Sequence, residues 1–384
     1  MRPASLELAV ALLAGPWNAR AMLERATDVL GERPTWLRGV VMACLRKFRH
    51  NPPLGEPSTL ASYLESLPSF RRRAHVLHPL LAHPELSPIR GPWQNAPFPK
   101  LATIGDVAQW LSVELRALVW MAEPWRQRKS EETPKALYQH RWIPKRHGKH
   151  RLLEAPRPRL RAIQRRILDE ILAWLPVHEA VHGFVRERSV KSLAEPHANQ
   201  PAVLAMDLES FFTSISRARV FRVFRACGFP EAVSRLLAGL CTHATPRAIL
   251  REIPDADERL LDPHLPQGAP TSPALANLCA FRLDVRLAAL ARSADVTFTR
   301  YADDLAFSGD ARFGCNARRF AIQIAAIALE EGFVIQHRKT RRMLQSAPQR
   351  LAGTIVNVKP GVERRERERL EATLHNCVKH GPQN

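Results

Sequence analysis

The chain lacks any long apolar run. The nearest candidate, residues 6–15, is interrupted by Glu7 and followed by Trp17-Asn18-Ala19-Arg20. It is too short to span a bilayer and is closer to an amphipathic helix than to a signal peptide, so no membrane partner is expected. The six cysteines (Cys44, Cys227, Cys241, Cys279, Cys315, Cys377) are scattered, with no CxxC pair and no Cys/His spacing suited to zinc. That pattern reads as reduced thiols in a cytoplasmic protein. Residues 4–130 hold neither paired carboxylates nor a Gly-rich phosphate loop. Acidic residues are scarce throughout: 37 Asp+Glu stand against 57 Lys+Arg, a formal charge of +20. Such an excess suits a polyanionic partner, because phosphate contacts dominate nucleic-acid affinity. A genome that favours Arg codons gives the same excess, and charge names what a protein touches rather than what it does.

At 384 residues, with 45% apolar and 24% charged, the chain has room for two or three domains of ordinary globular kind. Apolar positions recur at helical spacing over residues 6–30 and 37–48. Prolines from Pro52 to Pro99 then punctuate short elements, before a helix pair over 104–121 that Thr103 is placed to cap. From Arg141 to Arg166 there are ten Lys/Arg and one acidic residue, Glu154. Two strands are predicted there, 140–144 and 150–154, joined by the basic turn Arg146-His147-Gly148-Lys149. A helix over 160–175 follows, then mixed strands and helices to about 358 and a charged helix over 363–378.

Three segments carry chemistry. In Val203-Leu204-Ala205-Met206-Asp207-Leu208-Glu209-Ser210-Phe211-Phe212 a short apolar strand delivers Asp207 at its end. In Thr297-Phe298-Thr299-Arg300-Tyr301-Ala302-Asp303-Asp304-Leu305-Ala306-Phe307-Ser308 two strands flank a carboxylate pair, which therefore sits at a hairpin tip. Leu265-Pro266-Gln267-Gly268-Ala269-Pro270-Thr271-Ser272-Pro273 forms a loop before a helix over 274–287. A bare Asp-Asp pair is ordinarily a solvated turn. With strands on both sides and Asp207 upstream, the pair becomes two-thirds of an all-oxygen site suited to Mg²⁺ or Mn²⁺, since adjacent carboxylates repel unless a cation neutralises them.

Tyr301-Ala302-Asp303-Asp304 resembles the active-site box of reverse transcriptases. Its setting, Arg300 through Leu305 and Phe307-Ser308-Gly309, is similar to the bacterial retron form. So are the loop 265–273 with Asn277, His182-Gly183-Phe184 followed by Ser189, and Lys339-Thr340 after Gly332-Phe333. The resemblance runs in order from about residue 138 to the C-terminus. It departs at Leu193-Ala194-Glu195-Pro196-His197, where retron enzymes carry Asn-Ala-x-x-His, and at Leu351-Ala352-Gly353, where they carry Val-Thr-Gly.

The resemblance implies an α+β, right-hand polymerase fold: fingers and a palm with a small antiparallel sheet over 131–358, preceded by a helical extension (1–130). A short thumb, 359–384, ends as though mid-domain. It implies catalytic and metal-holding roles for Asp207, Asp303 and Asp304, with Leu208 in the metal set and two Mg²⁺ (or Mn²⁺) as cofactor. Nucleotide contacts fall to Arg151, Lys145, Leu208, Phe212, Gln267, Gly268 and Lys339. Phe212 would exclude a 2′-hydroxyl, and Phe211 is read as core. Arg151 and Lys145 have a template-backbone contact as their alternative, and Lys339 a solvated face. Nucleic-acid contacts fall to Arg141, Arg146, Lys149, His182, His197, Tyr301 and Gly353. The implied partners are a structured noncoding RNA, its DNA product, dNTPs and a retron effector protein in anti-phage defence. A catalytically silent RNA-binding scaffold and a group II intron-like enzyme stand as alternatives.

Overall fold

The computed structural model describes residues 3–13, 16–30, 34–49, 52–53, 57–71, 96–123, 137–144, 150–253, 256–362 and 364–381. Five N-terminal helices, Pro3–Leu13, Ala19–Leu30, Thr35–Phe48, Pro57–Ser66 and Pro68–Arg71, bury a core of their own built on Leu8, Leu12, Met22, Leu37, Val40, Leu60, Leu64 and Phe70. The apolar periodicity over 6–30 is interrupted: the two helices there are separated by Pro16, which supplies no amide donor for a continuing helix.

The helix pair at 104–121 forms as Ile104–Leu111 and Leu115–Ala122. Thr103 caps the first through a full capping box: its hydroxyl accepts from the Asp106 amide while Asp106 accepts from the Thr103 amide. The basic hairpin comprises β1 (Tyr138–Pro144) and β2 (His150–Pro156), paired antiparallel with His140 opposite Glu154. Its turn residues, including Lys145, Arg146 and Lys149, lie outside the described residues. The expected long helix after it stops at Glu170 and is followed by a single 3₁₀ turn, Leu172–Trp174.

The central sheet is four-stranded and wholly antiparallel. It contains β3 (Ala202–Asp207), β4 (Thr297–Tyr301), β5 (Asp304–Gly309) and β6 (Arg341–Leu344) in the order β4-β5-β3-β6. Alternation along each strand sorts the side chains onto two faces. Leu204, Met206, Leu305, Phe298 and Phe307 join the main core, which the helices Ser272–Cys279, Phe281–Ser293 and Ala311–Glu330 cover. Phe307 is wholly buried and stacks on Phe298 at 4.8 Å between centroids. Its truncation to alanine would cost about 3–5 kcal/mol. The opposite face is thinly covered by Val203, Ala306, Met343, Leu351 and Val356, with Tyr301 packed alongside. The minimal hairpin β7 (Arg350–Leu351) and β8 (Thr354–Ile355) lies on this side. By the same alternation Asp207 and Asp304 belong to this second face, onto which the short helix Val190–Ala194 packs Leu193 and Ala194. The predicted helix over 274–287 is two helices that break at Ala280. The last helix, Arg364–His380, carries exposed Leu370, Leu374 and Val378.

Candidate active site

Register brings the aspartates together. Asp207 closes β3 directly opposite Asp304, the first residue of β5. Asp303 occupies the two-residue turn between β4 and β5 with Ala302, whose φ of 54° is left-handed. That conformation is unusual for a residue with a Cβ and has to be held by its surroundings. Several contacts hold it. The Leu208 amide donates to the Asp303 carbonyl at 2.9 Å. The Arg300 guanidinium donates to the Ala302 carbonyl at 2.9 Å. Gly183 lies so close to the turn that a Cβ there would sit 2.5 Å from the Ala302 nitrogen.

Arg300 organises this end of the sheet from the buried side. It is fully buried and makes a bidentate pair with Asp284 at 2.6 and 2.7 Å. A further N–H reaches Asn277 Oδ1 at 3.1 Å, and Asn277 in turn donates to the Gly183 carbonyl at 2.9 Å. One side chain thus ties the turn, the Gly183 segment and two helices together, and of its two side-chain partners, Asn277 and Asp284, only Asn277 was marked by the sequence motifs. Asp284 gives no signal in sequence beyond a lone acid on a helix otherwise read as apolar and basic.

Electrostatics at the tip favour a cation. Burial, then Asp303 and Asp207, push the Asp304 carboxyl up to about 6 against the pull of Lys339 and Arg341. Burial and Asp207 likewise raise Asp303, opposed by Lys339 and Arg151. The Lys339 ammonium already donates to both Asp207 oxygens, at 2.8 and 2.9 Å. An all-oxygen donor set of three mutually repelling carboxylates, one of them already straddled by a positive charge, fits a hard divalent ion. Leu208 is buried and spends its amide on Asp303, so a metal contact from it can come only through its carbonyl.

The remaining expected residues fall into place unevenly. Phe212 is half-buried and packs 5.6 Å from Phe211 and 6.1 Å from Phe184, whereas Phe211 is core as expected. The Gln267 carbonyl accepts from the Glu154 amide at 2.8 Å, which fixes the loop 265–273 to β2. Gly268 is exposed at φ 134°, and a Cβ there would meet the Glu154 carbonyl oxygen at 3.1 Å. Arg141 and Arg151 are exposed on the basic hairpin. His182 pairs with Ser192 Oγ at 2.9 Å, and its ring is held below the usual imidazole range by burial and by Arg188. Gly353 is exposed at φ 85° in the β7–β8 turn.

His197 corrects the expectation of a nucleic-acid contact. It is 0% exposed, and its two ring nitrogens meet Ser308 Oγ and Thr299 Oγ1, each at 2.7 Å. The imidazole braces β4 against β5 and has no nitrogen left for an external ligand. Arg259 was missed altogether. It reaches Glu209 at 3.3 Å and Ser210 at 3.2 Å just beyond Asp207, and it bonds Asp257 at 2.9 Å.

A four-stranded antiparallel sheet under helices that gathers three aspartates at one end gives the chain an α+β fold with a carboxylate cluster at its centre. Residues 143–363, more than half of the chain, match the family described as reverse transcriptase (RNA-dependent DNA polymerase). The chain belongs to the reverse transcriptase family. Retron Mx65 reverse transcriptase of Myxococcus xanthus is 43% identical to it over 238 residues, 61% of this chain and 54% of that protein. Retron Mx162 reverse transcriptase of the same organism is 37% identical over 259 residues, 62% of this chain and 52% of that protein. Retron Ec86 reverse transcriptase of Escherichia coli is 31% identical over 228 residues, 59% of this chain and 65% of that protein. The chain thus spans about half the length of the two Myxococcus relatives.

Proposed function

We propose that this chain is a retron-type RNA-directed DNA polymerase that copies a structured noncoding RNA into DNA from dNTPs. The observation that carries the proposal is the pairing of Asp207 with Asp304 across β3 and β5, with Asp303 in the adjoining turn. In this reading the central sheet is the palm, the β1–β2 hairpin belongs to the fingers, and Arg364–His380 begins the thumb. Asp207, Asp303 and Asp304 would hold two Mg²⁺, with the Leu208 carbonyl as a further oxygen and Mn²⁺ as a substitute. Bound there, such ions would supply the positive charge that activates an attacking hydroxyl and stabilises departing pyrophosphate.

The chain's own residues do the rest. Phe212, half-buried beside the tip, presents a ring edge where a 2′-hydroxyl would sit and so selects deoxynucleotides. Gln267 and Gly268 line the nucleotide pocket; the absence of a Cβ at Gly268 lets main chain approach both β2 and the substrate. Arg151, whose charge reaches Asp303, and Lys145 hold triphosphate oxygens. Lys339 holds both Asp207 oxygens in position until metal and substrate arrive. Arg141, Arg146, Lys149, His182, Tyr301 and Gly353 contact the nucleic acid. A 2′-hydroxyl of the noncoding RNA is a candidate primer, the product is a multicopy single-stranded DNA, and the setting is anti-phage defence with an effector partner.

The test is incorporation of labelled dNTPs on a primed RNA template with Mg²⁺. Dependence on dNTPs and loss in Asp303→Asn would support the reading. No synthesis by folded protein, with Mn²⁺ and a retron RNA supplied, would favour the scaffold alternative.

A further inference from the structure

Four residues that the polymerase reading leaves unused meet inside the protein, built from none of the aspartates. His140 on β1 and Glu154 on β2 are direct cross-strand partners, so their side chains share a face. Facing them, His243 and His264 form a second pair, each amide donating to the other's carbonyl at 2.9 Å. His140 Nε2 lies 3.0 Å from His243 Nε2, and His243 Nε2 lies 3.8 Å from Glu154 Oε1. The ligand atoms of His140, Glu154 and His243 all lie within 4.8 Å of one another.

A set of supporting contacts fixes these groups in place. Thr245 Oγ1 donates to Glu154 Oε1 at 2.6 Å, and His264 Nε2 meets Glu154 Oε2 at 2.8 Å. His264 is itself held through Nδ1 by the Asp262 carbonyl at 2.7 Å. Tyr138 stacks on the His243 ring at 4.1 Å between centroids, and its hydroxyl accepts from Gln164. Burial alone would push the Glu154 carboxyl up, but His264, His243 and Thr245 outweigh it and hold it at about 2.

We propose that His140, His243 and Glu154 bind a divalent transition metal of the zinc type, with His264 and Thr245 orienting the ligating carboxylate. Two imidazoles and one carboxylate, with a fourth position for water, make a donor set that zinc uses and magnesium does not. Hydrogen-bonded partners behind the ligands are what such sites need. The ion would clasp the basic hairpin to the segment 243–264, which runs directly into Gln267 and Gly268. Because the Glu154 amide also bonds the Gln267 carbonyl, fixing Glu154 fixes the loop proposed to line the nucleotide pocket.

The test reads metal directly. Full-length protein is stripped with chelator, re-equilibrated with Zn²⁺ or Co²⁺ in excess Mg²⁺ to occupy the aspartate site, desalted and assayed for metal content and visible cobalt absorption. One ion per chain, a cobalt band, and retention unchanged in Asp303→Asn are expected. His140→Ala should weaken retention by more than about tenfold, since even outer-layer partners are worth about 10–100-fold. His140 is the half-buried member of the set and the one whose loss the fold should tolerate best. Should the variant not fold, the cobalt spectrum of the wild-type chain decides alone. Folded wild-type protein that retains no zinc and shows no cobalt band overturns the proposal, leaving His140 and His243 as a plain hydrogen-bonded pair. Equal retention by wild type and folded His140→Ala overturns it too.

Discussion

Removing Asp284 should do more damage than removing most residues that touch the substrate. Its carboxylate is 0% exposed and bidentate to an equally buried Arg300. Asp284→Ala leaves a guanidinium in the core without its counter-charge, a change that costs about 3–5 kcal/mol. At roughly 2–4 °C per kcal/mol for a core of this size, the main unfolding transition should fall by ~6–20 °C. Replacing both partners, Arg300→Met with Asp284→Leu, removes the stranded charge and should recover most of that stability. It should not recover DNA synthesis, because the bonds from Arg300 to the Ala302 carbonyl and Asn277 are still missing. Calorimetry or urea unfolding of the two single variants and the double, alongside dNTP incorporation, separates the two effects. A loss below about 1 kcal/mol in Asp284→Ala, or a double variant that regains both stability and synthesis, would rule out this role for the Arg300–Asp284 pair.

Other outcomes follow from the same geometry. Burial and the nearby His182 hold His197 at about 3, against 6.5 for a free imidazole, so below pH 6.5 the unfolded chain takes a proton that the folded one refuses. Its share of stability is complete above that pH and is lost on acidification at about 1.4 kcal/mol per unit; His197→Gln should flatten the urea midpoint against pH between 6.5 and 5. With Asp304 raised to about 6, the Mg²⁺ needed for half-maximal synthesis should climb as pH falls through that value. Lys339→Met removes a charge that favours the ionised carboxylates, so the climb should begin at higher pH; an unmoved profile speaks against the Lys339 role. Gly268→Ala forces a side chain into a φ of 134° against the Glu154 carbonyl and should cost about 1–3 kcal/mol, with a raised KM for dNTP. Equal KM in the two proteins would detach Gly268 from the pocket.

What the sequence made legible was local. The Thr103 capping box, the basic hairpin, and Asp207 and Asp303-Asp304 at strand ends are written in a few consecutive residues each. Helix breaks were harder, since nothing in the residues around Ala280 demands one. Contacts across more than a hundred positions were invisible. His197 carries the signature of a motif histidine, but its bonds to Thr299 and Ser308 make it a brace. Arg300 sat inside the most recognisable motif, yet its role depends on Asp284 from a separate helix. The zinc-type cluster escaped a search by spacing because its ligands come from positions 140, 154 and 243, on two strands and a connecting segment that only the fold brings together.

DNA synthesis on RNA by the proposed enzyme depends on the Asp207–Asp303–Asp304 tip. Labelled dNTP incorporation on a primed RNA template with Mg²⁺, wild type against Asp303→Asn, tests it most directly. Template- and dNTP-dependent synthesis by the wild type is expected, with a loss of at least about 10²-fold in a folded variant that has lost one metal-holding carboxylate. Synthesis that persists undiminished in Asp303→Asn would contradict it.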